Sequence, residues 1–242
     1  VASRIAASGA NSIMPLFGFG GEPLRLLWLA PEHRAAGVAA IVLDRLLYTV
    51  ASAVFLLGGL IALVQMTRFP ASYAVAGAIA VLALVGASVI AGWLVVRHKI
   101  AARIHKIIRR LRRQTDLPLG GFGEDVDTKI EEMVRSRRVL LGALAIHVAG
   151  RILLGAEVVV GFAVLGVPLA WDEALVFASV PVLLAFVASV VPSQLGLQEG
   201  SQALVASALG LSPALAVAVV LLQRIRQVIS GAIAWALIAL RK

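Results

Sequence analysis

Two glutamates stand in stretches of this sequence that are otherwise apolar, and the residues around them repeat. Glu22 lies in NSIMPLFGFGGEPLRLLWL (11–29) and Glu199 in VVPSQLGLQEGSQ (190–202). Pro15 precedes Glu22 by seven residues and Pro192 precedes Glu199 by seven, with Gly18 and Gly196 between them. An arginine inside an apolar run follows each, Arg45 after 23 residues and Arg224 after 25. A charged side chain at the centre of a membrane-spanning helix costs about 2.5–3.5 kcal/mol on insertion scales. Such residues therefore face a partner or a cavity. The planar fork of arginine donates hydrogen bonds in pairs and suits a phosphate or pyrophosphate group. The expectation is that Arg25, Arg45, Arg151 and Arg224 bind the polar head of an amphiphile, and that Glu22 and Glu199 orient them or exchange protons. The competing reading is that the charges only neutralise one another and brace the bundle, as Glu157 or Glu199 would with Arg224.

Spacing limits the pairing. His147 and Arg151 are four apart and share a helix face, whereas Arg224 and Arg226 diverge by about 200° and cannot enter one cavity. Asp44 and Arg45 diverge by about 100°. Other chemistry has little support. The chain has no cysteine, so disulfides and thiolate metal sites are excluded. His147 alone among the four histidines falls deep in an apolar run, which favours a hydrogen-bonded packing residue over a metal ligand. Ser193 and Ser201 have no histidine nearby to act as a base, and GFGG (18–21) and GGFG (120–123) lack the strand and helix of a nucleotide loop. No catalytic residue, metal or cofactor is expected, although an intramembrane lipid enzyme stays open as an alternative.

The elements that must hold these groups follow from composition. Of 242 residues, 60% are apolar and 14% charged, and the mean hydropathy is +0.96. A helix needs about 20 residues to cross a hydrocarbon core. The stretches 35–64, 73–96, 139–165 and 212–240 are long enough, and 174–191 falls at the short end. Alternation of the strand type is absent, so the fold class is all-α, a polytopic helical membrane protein.

Between Arg97 and Arg138 twelve Lys or Arg face six Asp or Glu, a net of +6 within a total of +9. The positive-inside rule puts this loop in the cytoplasm. Nucleic-acid binding is disfavoured because the basic residues flank apolar spans without interleaved aromatics. RHKIAARIHKIIRRLRR (97–113) gathers Ile100, Ile104, Ile107, Ile108 and Leu111 on one face, a helix suited to lie on a membrane with its cations near anionic headgroups. QTDLPLGGFG (114–123) interrupts it, and Glu124, Asp125 and Asp127 suit a new helix start.

With that loop inside, 35–64 runs outward, 73–96 inward and 139–165 outward to a turn at Gly166-Val167-Pro168. A full crossing by 172–191 would leave Arg241 and Lys242 outside. If 172–210 instead dips in and returns, the last helix runs inward and obeys the charge rule. Pro192, Gly196 and Gly200 would then mark a re-entrant tip, with Asn11, Pro15, Gly18 and Gly21 marking its counterpart. Broken backbone at that depth needs protein or a water-filled cavity around it. The architecture expected is one transmembrane domain over 1–242: a first repeat of about 1–96, a cytoplasmic linker over 97–138, and an inverted second repeat over 139–242. Such paired broken helices flank substrate sites in transporters. The chain begins with Val and lacks a signal peptide, which suggests that its first residues are missing.

At NSIMPLFGFGGEPLRLLWL, the Asp44-Arg45 pair, VVPSQLGLQEG and LGLSPALAVAVVLLQRIRQ, the chain resembles the transmembrane region of lysylphosphatidylglycerol synthases. It is most similar to a stand-alone flippase-like branch associated with hopanoid biosynthesis. The resemblance implies a lipid-translocating membrane domain, with further helices upstream. Pro15, Gly21, Glu22 and Arg25 match its first motif, and Pro192, Gly196, Gln198, Glu199, Gly200 and Arg224 its second. The aminoacyl-transfer domain of the true synthases is absent from this stretch, so synthesis is not implied. Ser193 and Gln194 replace a more usual small pair. The expected function is flipping of a phospholipid, hopanoid or isoprenoid-linked lipid. The alternative is a membrane partner that recruits lipid-modifying enzymes through the basic helix.

Overall fold

The computed structural model describes residues 26, 29–66, 71–97, 99, 101–103, 121–187 and 196–239. Seven α-helices of these residues are used below: α1 (Arg34–Gln65), α2 (Ala71–Arg97), α3 (Phe122–Arg135), α4 (Arg137–Val164), α5 (Trp171–Val187), α6 (Leu197–Ala208) and α7 (Pro213–Ala239). No strand occurs among the described residues. Four of the helices, α1, α2, α4 and α7, are long and apolar enough to cross a membrane. The protein is thus an all-α, multi-pass membrane protein.

Local sequence sets the ends. A single 3-10 turn, Pro31–His33, leads into α1. Helices α4 and α6 close in the same way. Gly166 and Gly210 adopt φ +79° and +78°. The next residues, Val167 and Leu211, donate to the carbonyls of Phe162 (3.0 Å) and Ala206 (2.8 Å) five positions back. These left-handed glycine caps satisfy carbonyls that a helix end leaves open, and Pro168 and Pro213 then prevent continuation. Within the spans the hydroxyls of Thr49, Ser52, Ser88 and Ser179 each donate to the carbonyl four residues earlier, at 2.6–2.8 Å. A polar group in hydrocarbon is satisfied in this way without a partner helix.

The main core joins α1, α4, α5, α6 and α7 around Phe162 and Phe177, whose rings meet edge to face at 5.0 Å. Small residues bring the helices close. A methyl group at Gly59 would collide with the Ser179 side chain, and one at Gly161 would come within 3.1 Å of Val219. The indole of Trp171 covers Gly155. Without water to drive them together, membrane helices depend on such close packing.

A second, smaller core lies at the opposite end of α1. There Val126 and Ile130 of α3 pack on Ala39 and Leu43. Helix α3 begins after Gly121, at φ +88°, with Glu124 and Asp125 in its first turn, where the helix dipole favours negative charge. The third acidic residue of that group, Asp127, does something else. It is buried, and its carboxylate accepts from the backbone N–H groups of Ala101 (3.3 Å) and Ala102 (3.0 Å). Residues 101–103 are helical. Asp127 therefore ties the start of that turn to α3. The rest of the basic face from Ile104 to Arg113 lies outside the described residues.

Contacts give the relative directions. Asp44 and Ser52 of α1 meet His147 and Arg151 of α4, so the two helices run parallel. Glu157 meets Arg226 while Gly161 faces Val219, so α4 and α7 run antiparallel.

Candidate functional site

Charged and polar groups gather at two places. The first is a seam between α1 and α4. Asp44, Tyr48 and Ser52 recur every four residues and so share one face of α1, opposite His147 and Arg151. His147 Nε2 lies 3.1 Å from Asp44 Oδ1, and its ring meets Tyr48 edge-on, with centroids 6.0 Å apart. The Arg151 guanidinium stacks over the Tyr48 ring at 4.4 Å and donates through Nη2 to Ser52 Oγ at 2.5 Å. Ser52 passes the interaction on, donating to the Tyr48 carbonyl at 2.7 Å. Arg151 is thus held by a π face and a hydroxyl, neither of which neutralises its charge. A guanidinium held in this manner keeps its attraction for an anion.

The second place is the start of α6. Helix α6 has 12 residues, a length of about 18 Å. It is too short to cross a hydrocarbon core of about 30 Å. Gly196 stands at its N-cap with φ +77°. Glu199, three residues on, accepts from the Gly196 N–H through Oε2 at 2.9 Å. Its other oxygen, Oε1, accepts from Arg224 Nε at 2.6 Å. Arg224 Nη2 reaches the same oxygen at 2.6 Å, but off the line of a hydrogen bond, and is buried without an aligned acceptor among the described residues. One carboxylate therefore closes the helix end and pairs with a cation on the next helix.

Arg224 lies eleven residues after Pro213, roughly 17 Å along an α7 of about 40 Å. The N-terminal end of α6 thus sits level with the middle of α7. Unpaired N–H groups and the aligned peptide dipoles make such an end attractive to anions.

The four apolar runs of 35–64, 73–96, 139–165 and 212–240 correspond to α1, α2, α4 and α7, and 174–191 to α5. Glu199 and Arg224 come together; Gln198 is half-buried beside them, and Ser201 donates to its carbonyl at 2.9 Å. Gly200 is not in the break but inside the first turn of α6, because the helix starts directly after Gly196. Arg45 is half-buried on α1 next to Asp44. Arg151 and Arg224 occupy different helix interfaces, the α1–α4 seam and the α6–α7 pair. The residues Asn11, Pro15, Gly18, Gly21, Glu22, Arg25 and Pro192 lie outside the described residues. Arg226 points away from Arg224 and pairs through Nε with Glu157 Oε1 at 2.6 Å.

The sequence did not single out Tyr48, Ser52, Pro181 or Gln202. The first two were legible in the four-residue spacing after Asp44. The others depend on each other. Pro181 lies inside α5 and has no N–H, so the carbonyl of Phe177, four residues earlier, loses its helical donor. Gln202 of α6, only 1% exposed, donates to that carbonyl through Nε2 at 3.2 Å. A proline deep in an apolar run was the available signal, since it leaves a carbonyl to be satisfied from elsewhere.

Fold and site define an α-helical multi-pass membrane protein with ionised groups paired across its helix interfaces. The family model described as the lysylphosphatidylglycerol synthase TM region matches residues 2–234, and the chain belongs to that family of lipid-related membrane proteins. No curated protein and no solved structure matches the chain.

Proposed function

We propose that this chain is a lipid flippase or transporter of a bacterial inner membrane, moving a polar-headed lipid between leaflets, with residues 97–138 in the cytoplasm. The observation that carries the reading is the Glu199–Arg224 pair at the N-terminal end of a helix too short to span. In this reading residues 172–210 form a re-entrant hairpin whose tip reaches the middle of the membrane. An anionic headgroup replaces Glu199 as the acceptor for Arg224, and the freed α6 end supplies further N–H donors. Arg151, held by Tyr48 and Ser52, and Arg45 offer a second position for the same headgroup nearer the α3 end of the bundle. Glu199 returns to Arg224 when the lipid leaves, so the arginine is never without an anion. Glu22 and Arg25 are assigned the corresponding roles in the first repeat.

Purified protein in vesicles containing fluorescent phospholipid tests this through access of a membrane-impermeant quencher. The wild-type chain should move the label, and Arg224→Ala and Glu199→Gln should slow it at least about tenfold, the factor for 1.4 kcal/mol in a barrier. Transport at the wild-type rate by well-folded Arg224→Ala protein overturns the assignment. A second reading, a membrane partner for lipid-modifying enzymes, draws on the net +6 of the loop between Arg97 and Arg138. A partner of that kind would move no lipid when purified alone.

A further inference from the structure

A cavity of about 400 Å³ opens between α1, α2, α5 and α6. Its walls are aliphatic, with Leu56, Leu60 and Leu63 forming a row along α1 and Ala76 and Ala80 opposite them on α2. The row spans seven residues, so the cavity extends about 10 Å along the helix axis. The hydroxyl of Ser179, the one side-chain polar group among the described lining residues, is turned to the Leu175 carbonyl at 2.7 Å. Water gains nothing in such a space, because it would find no hydrogen-bond partners. A surrounding bilayer supplies the other filler, since α1 and α2 both qualify as membrane spans and α2 is scarcely covered by the rest of the chain.

Position within the bundle narrows the occupant. The lining belongs to the second half of α1 and the first half of α2, the end away from α3 and from the Asp44–His147 seam. The third wall is the later part of α6, at Leu204, Val205 and Ala208. Leu204 is five residues after Glu199 and about 140° around the helix from it. The cavity and the Arg224 pair thus lie on different faces of α6, one greasy and one charged. We infer that this cavity is a binding site for a single acyl tail of a glycerophospholipid in the leaflet opposite the basic loop. The tail site goes beyond the transport reading, because its occupancy does not need the Glu199–Arg224 charge pair. The sidedness rests on that reading.

Photolabelling in vesicles of phosphatidylethanolamine and phosphatidylglycerol tests it, with phosphatidylcholine carrying a diazirine near the end of one acyl chain as the probe. Label should concentrate on peptides containing Leu56–Leu63, Val176–Leu183 and Leu204–Ala208. Ala80→Trp should fill the cavity and cut that labelling about tenfold, with label at the lipid-facing Val89 of α2 unchanged. Ala76→Phe approaches from the same wall with a smaller ring, so that misfolding of one variant does not decide the outcome. Labelling spread evenly over Val89 and the cavity, or untouched by both substitutions, overturns the site. So does displacement of the label by a rigid polycyclic lipid but not by unlabelled phospholipid. Labelling retained in Arg224→Ala supports a site separate from the charge pair. If transport fails in wild-type protein while cavity labelling persists, the transport reading falls and the tail site stands.

Discussion

Arg224 and Arg226 are two residues apart on one helix, yet they live in different surroundings. Arg224 is 22% exposed and meets Glu199, itself 21% exposed and bonded to a helix end. Arg226 is 55% exposed and meets Glu157, which makes no second bond among the described residues. The two Nε–Oε1 distances are equal at 2.6 Å. The difference lies in what else the carboxylate does. Glu199 couples a charge pair to the folding of α6, whereas Glu157 balances one charge. Equal geometry in a contact therefore says little about its consequence, because cost follows from what is left unsatisfied when the contact is lost.

The strongest way to break this contrast is Glu199→Ala. It leaves a buried guanidinium nitrogen without its anion and uncaps α6, and should lower stability by about 3 kcal/mol, read by thermal unfolding in detergent micelles. Glu199→Gln keeps an acceptor for the Gly196 N–H and should lose about half as much. Equal losses in Glu199→Ala and Glu157→Ala would erase the distinction between the pairs.

Next in size is Gln202→Leu, which strands the Phe177 carbonyl and should cost about 1–2 kcal/mol. In a Pro181→Ala background, where residue 181 again has an N–H to give, the same substitution should cost clearly less. A cycle of the two variants measures that dependence, and additive effects would separate Gln202 from the proline. Ser52→Ala follows, removing one acceptor from Arg151 and about 1 kcal/mol, and in vesicles it should slow transport less than Arg224→Ala does. Arg226→Gln is expected to be the mildest. An exposed pair contributes about 0–1 kcal/mol, and its midpoint should shift little.

The spans were legible in the sequence because a helix that must cross hydrocarbon needs a long apolar run, and no tertiary detail alters that need. The break at Gly196 was legible as a glycine in an apolar stretch, and it stands at the N-cap of α6. The partners of the buried charges were harder to read. Glu157 and Glu199 both offered a mate for Arg224, and the rotation of α4 and α6 about their axes brings Glu199 to it. Asp127 shows a further limit. Its position suits the start of its own helix, but its carboxylate serves the backbone of residues 101 and 102, 26 and 25 positions earlier. Local sequence reports the charge at a helix end and not which end it reaches. The Gln202–Phe177 contact joins a missing donor on one helix to an amide on another, and neither residue alone announces it.

That contact has a mechanical consequence. A proline in a helix is usually a place to bend, because the strap of hydrogen bonds is cut on one side. Here the cut is bridged from the neighbouring helix, in a setting with no water to replace the bridge. Bending α5 at Pro181 therefore drags α6 with it, and opening one means displacing both. Helices α5 and α6 behave as one lever, and a push on Glu199 is felt at Phe177.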